Sequence, residues 1–161
     1  MLIEYIITGG FTTDDSILKT TEIVSIDPPI STEGPELPDY FYGHCSVLVN
    51  NEVFLIGGID TKTKVLAISV KDGSMSYKSP LQIQRFHHSC SKITGNDGYE
   101  KIVVTGGCCG SAYSSTEIYS VEDDIWTHGT ENCNHSLRIS CSNHDSSFKD
   151  PICLMFALLV Q

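Results

Sequence analysis

Positive charge is scarce in this chain. Ten Lys and Arg stand against 20 Asp and Glu over 161 residues, a net charge of −10, and such a surface repels phosphate backbones and anionic headgroups. Nucleic acid and membrane surfaces are therefore not expected as partners. Long apolar runs are also missing. The longest, Ile152 to Val160, is nine residues, against the roughly 20 that a helix needs to cross a bilayer. The opening Met1 to Ile7 has neither the basic stretch nor the sustained apolar core of a secretory leader, so a cytoplasmic location is expected. The seven cysteines (Cys45, Cys90, Cys108, Cys109, Cys133, Cys141 and Cys153) follow no disulfide-scaffold spacing and include no C-x2-C pair. Reduced thiols, most of them packed as small apolar residues, are the expectation, and a structural zinc site is not.

Recognisable catalytic motifs are absent too. Gly106-Gly107-Cys108-Cys109-Gly110 lacks the Lys-Ser/Thr of a phosphate loop, and no helix-forming segment follows it. There is no G-x-S-x-G elbow. Neither a cofactor nor an enzymatic activity is expected.

What is present is a repeat. YIITGG, VFLIGG and IVVTGG each run four apolar or β-branched residues into a glycine pair: Gly9-Gly10, Gly57-Gly58 and Gly106-Gly107. From Gly9 to Gly57 is 48 residues and from Gly57 to Gly106 is 49, a period of propeller-blade length. His44, His88 and His135 recur at intervals of 44 and 47, which points to a repeated structural task such as bonding backbone where a strand starts. After the glycines, Thr21-Glu22-Ile23-Val24 and Thr116-Glu117-Ile118-Tyr119 are near copies, with Leu66-Ala67-Ile68-Ser69 as a degenerate counterpart.

These residues resemble the kelch family, whose blades run a strand into a glycine pair, then a Tyr, then a Trp. The third repeat carries the whole pattern, with Tyr119 and Trp126 after Gly106-Gly107; Val70 and Tyr77 take those places in the second repeat, and Val24 the Tyr place in the first. The resemblance covers roughly residues 3 to 130. It implies an all-β fold, a β-propeller fragment of four-stranded antiparallel blades, and a scaffold that binds a protein or peptide, as in substrate-recruiting adaptors of ubiquitin ligases or actin-associated proteins. The alternatives are a remnant of a copper-radical oxidase, which shares such blades, and a truncated product without function.

The second repeat reads as a meander: His44 to Val49, a turn at Asn50-Asn51, the unbroken apolar Val53 to Ile56, then Val65 to Val70, a turn at Asp72-Gly73, and Met75 to Lys78. Such a sheet has two apolar faces and no helix to cover either, so blades must stack. The expected division is residues 1–43 for a partial first blade, 44–80 for the second, 81–130 for the third, and 131–161 for a divergent tail. The tail is read as two strands of a further blade (His135 to Ser142 and Ile152 to Val160) or as unrelated sequence. Three blades are too few to close a ring, which leaves self-association through uncovered edges open. Antiparallel order puts the loop after strand two and the connection into strand one on the same side, and this makes Phe11, Asp14, Tyr42, Asp60, Lys62, Arg85, His87 and Tyr113 the candidate binding residues. Trp126 is expected in the core between blades.

Overall fold

The computed structural model describes residues 4–10, 12–14, 16–109, 113–129 and 156–159. Every regular element among them is a strand, and the strands form three antiparallel sheets of four. The first sheet holds β1 (Glu4–Thr8), β2 (Thr21–Ile26), β3 (Pro29–Glu33) and β12 (Phe156–Leu159), in the order β12-β1-β2-β3. The second is β4 (Cys45–Val49), β5 (Glu52–Ile56), β6 (Val65–Ser69) and β7 (Met75–Lys78); the third is β8 (Ser89–Thr94), β9 (Glu100–Thr105), β10 (Thr116–Ser120) and β11 (Ile125–His128).

Local chemistry sets these meanders. Asn50 and Asn51 both take positive φ, 49° and 61°, the left-handed pair that a tight two-residue hairpin needs and that Asn tolerates. Val53, Phe54, Leu55 and Ile56 of β5 are all buried, because neighbouring sheets cover both faces of that strand. Between the first and second sheets pack Ile6, Leu37, Phe41, Val53, Leu55, Leu66 and Ile68. Between the second and third pack Phe54, Ile56, Val65, Ala67, Ile102, Val104, Tyr119 and Trp126. Each large side chain buried there is worth about 1.5–3 kcal/mol, so sheet stacking supplies most of the apolar stabilisation.

The glycine pairs sit where two chain connections cross. Gly10 donates its N–H to the Phe41 carbonyl (3.3 Å), and Gly58 donates to the Arg85 carbonyl (2.9 Å), one bond repeated in two blades. A Cβ on Gly57 would lie 2.6 Å from the Arg85 carbonyl and 2.7 Å from Cε1 of His88, and its φ of 65° is left-handed. Only glycine meets both demands.

Four expectations change. In the second repeat the Tyr and Trp places belong to Ile68 and Met75, not Val70 and Tyr77: Tyr119 pairs with Trp126, and at the same register from the glycines Ile68 pairs with Met75. Both pairs are seven residues apart, so spacing alone could not choose between them. Second, Phe156–Leu159 pairs with β1 and supplies the fourth strand of the first sheet instead of opening a further blade; His135 to Ser142 lie outside the described residues. Third, Cys45 and Cys90 are joined as a disulfide with Cα atoms 6.0 Å apart, which corrects the reading of all cysteines as thiols. They stand on the first strands of adjacent sheets, a proximity that no sequence spacing reveals. The fourth concerns Arg85.

Candidate functional site

Arg85 was expected on the binding face and is instead completely buried. Its Nε donates to Glu117 Oε1 at 2.9 Å, Nη1 to the carbonyls of Gly106 (2.7 Å) and Ser115 (2.9 Å), and Nη2 to the Ser115 hydroxyl (2.7 Å). Glu117 Oε2 accepts the Gln82 N–H at 2.7 Å. A guanidinium has five donors in a rigid fork, and such a niche, paired and hydrogen-bonded, is where a buried charge is tolerated. The repeat exposes its logic. The bond from the second glycine's N–H to Phe41 and to Arg85, and the ladder register of Leu66 and Glu117, show that Phe41 and Leu66 fill in the second blade the places of Arg85 and Glu117, and both are buried. One niche is filled once by an apolar pair and once by an ion pair. Glu117 was missed as a partner, although its signal was present in Thr116-Glu117 set against the apolar Val65-Leu66.

The remaining candidates divide. Phe11 lies outside the described residues. Asp14 is exposed, and the Thr12 hydroxyl that donates to it holds its carboxyl below the usual range. Asp60 and Lys62 are exposed on the β5–β6 loop, with Lys62 at a positive φ of 53°. Tyr42, half-buried, meets the His87 ring edge-on at 6.2 Å between centroids, and Phe86 also meets the His87 ring edge-on, at 5.4 Å. His87 takes φ of 52° and donates its N–H to the Gly43 carbonyl at 2.7 Å, which ties the two connections together. The Tyr42 carbonyl accepts the Ile59 N–H at 2.8 Å. Tyr113, half-buried, lies under the Arg85 guanidinium at 5.5 Å. The loops therefore bring Tyr42, His87 and Phe86 into one aromatic row, with Asp60 and Lys62 on the loop beside it. Tyr113 is drawn toward Arg85, and Asp14 stays on the first sheet's own loop.

Of the recurring histidines, His44 and His88 are buried between sheets, and His135 lies outside the described residues. His44 is buried with its Nε2 3.1 Å from the Thr8 hydroxyl of the preceding sheet. His88 is buried in the gap left by the absent Cβ atoms of Gly57 and Gly107, and neither of its ring nitrogens has a hydrogen-bond partner among the described residues. Burial pushes His44 down to about 4 and His88 to about 3, for His88 with help from the Arg85 charge and against a small opposing effect of the Ile56 backbone. Both rings are neutral near pH 7. Among the described residues, no three His, Cys, Asp or Glu side chains stand together as a metal-binding group, and no helix is long and apolar enough to cross a membrane.

Residues 98–132 match the kelch motif. No curated protein matches the chain. Among solved structures, a fungal alcohol oxidase of the AA5 family in complex with copper is similar, with a TM-score of 0.57 and 19% identity over 77% of this chain and 27% of that one. At that identity the likeness is one of fold.

Proposed function

Starting from a chain that carries a kelch motif in an all-β arc of propeller-type blades, we propose that it is a protein-binding module. The observation that carries this reading is the aromatic row of Tyr42, His87 and Phe86, cross-braced by the His87–Gly43 bond and set beside the exposed Asp60 and Lys62. Aromatic side chains on a rigid base, rimmed by charge, are what a peptide-gripping surface needs. The finer reading is a recruiting surface of the kind that kelch propellers lend to ubiquitin-ligase adaptors or actin-associated proteins.

Peptides selected from a random displayed library on the folded chain provide the test. Tyr42→Ala and His87→Ala should each weaken the selected peptides at least roughly tenfold, while Tyr77→Ala, on the outer strand β7, should leave them unchanged. Equal binding by all three variants would remove this face from consideration. A second reading, an oxidase-like remnant, draws on the fold likeness to the copper-bound alcohol oxidase; it requires that the purified chain take up copper stoichiometrically.

A further inference from the structure

Among the described residues, two broad sheet faces have nothing packed on them: one on the first sheet and one on the third. On the first sheet the open face carries Tyr5, Ile7, Glu22 and Val24, none of them buried. On the third it carries Val103, Thr105, Thr116 and Ile118, all half-buried. A recess of 760 Å³ on that side is lined by Ile93, Tyr99, Lys101, Ile118 and Thr127, among others.

Both open faces repeat faces that are covered inside this chain. Registered from the glycines, Val103, Thr105, Thr116 and Ile118 fall on Ile6, Thr8, Thr21 and Ile23, nearly the same residues, and those four point toward the second sheet. Tyr5, Ile7, Glu22 and Val24 fall on Ile102, Val104, Glu117 and Tyr119, and those four are buried against the second sheet. In both internal interfaces a face of the first kind meets a face of the second kind. Each open face is therefore complementary to the other and not to itself, which makes the contact head-to-tail.

We infer that the open face of the third sheet takes the open face of the first sheet of a second copy of this chain, and that the contact is made twice to close a ring of six sheets. Two copies supply three sheets each, inside the range of about 4 to 8 blades that close a propeller. The pairing of β12 with β1 gives the first sheet its fourth strand, so a whole sheet is presented to the partner. The inference is independent of the loop face.

The internal disulfide supplies a ruler for the test. Cys45 pairs with Ile56 and Cys90 with Val104. At the new contact the corresponding positions are Ser89, which pairs with Thr105, and Phe156, which pairs with Ile7. The 161-residue chain carrying Ser89→Cys and Phe156→Cys should oxidise to a covalent dimer on a non-reducing gel, and Ser89→Cys alone should not. In sedimentation the unmodified chain should run as a dimer at tens of micromolar, and Ile118→Glu or Val24→Glu should weaken association at least roughly tenfold with an unchanged far-ultraviolet spectrum. A monomer throughout, with no covalent dimer, overturns the inference. A ladder of trimers and higher species also overturns it, because it signals an open-ended array.

Discussion

At the scale of single residues, the informative positions are buried and polar. Removing one partner of the Arg85–Glu117 pair leaves an uncompensated charge in a niche with no access to water, and costs of about 3–5 kcal/mol follow. Arg85→Met alone should therefore bring the chain close to unfolding. Arg85→Met with Glu117→Leu copies the apolar filling of the same niche by Phe41 and Leu66 and should recover most of that loss. Urea unfolding of the two singles and the double decides it; a double variant no more stable than Arg85→Met would mean the two niches are not equivalent. The buried histidines make the second prediction. Their folded pKa values lie below the ordinary 6.5, at about 4 for His44 and about 3 for His88, so between those values and 6.5 the unfolded chain binds more protons. Stability from these rings is complete above pH 6.5 and is lost as the pH falls toward 4, on the order of 3 kcal/mol for each. Unfolding midpoints from pH 7.5 to 4 should trace that decline, and His88→Leu should flatten it. The recurrence of the histidines was legible in sequence. Their role was not, because a ring held between the glycine pairs of adjacent sheets depends on contacts across the stack.

At the scale of strands and sheets, the meanders were legible because each has its own turn chemistry and its own alternation. β4, β5, β6 and β7 lie within one or two residues of their expected bounds. What could not be read was register against an outside reference: Ile68 with Met75 and Val70 with Tyr77 have the same separation, and only the ladder bonds from β5 to β6 select the first. The link between Cys45 and Cys90 belongs to this scale, since it staples the first strand of the second sheet to that of the third across a loop of 45 residues. Closing a loop of that length stabilises by about 4 kcal/mol through the unfolded chain. Cys45→Ser with Cys90→Ser, or reduction of the parent, should lower the urea midpoint accordingly, and thiol titration of the denatured parent with and without reductant should differ by at least these two sulfurs. An unchanged midpoint would mean that stacking alone holds the two sheets together.

At the scale of the whole molecule, the return of β12 to β1 joins residues about as far apart in sequence as the chain allows, and contacts that distant form late and at high entropic cost. Removing residues 150–161 should leave the Glu4 to Ile7 backbone without its β12 partner. Amide exchange should accelerate in β1 and remain slow in β5 and β9; uniform acceleration across all three would mean that the sheets unfold as a single unit. The amino-acid sequence by itself determined the strand class, the period and the glycine pairs. These follow from local alternation, turn residues and backbone freedom, which act over a few residues and leave their mark wherever they occur. Tertiary structure alone decided that Arg85 is a buried anchor and not a contact residue, that two cysteines meet, that Phe156–Leu159 completes the first sheet, and that the described residues leave two matching faces open. Each depends on which surfaces meet across the stack, and burial and pairing between distant segments leave no fixed spacing in the chain.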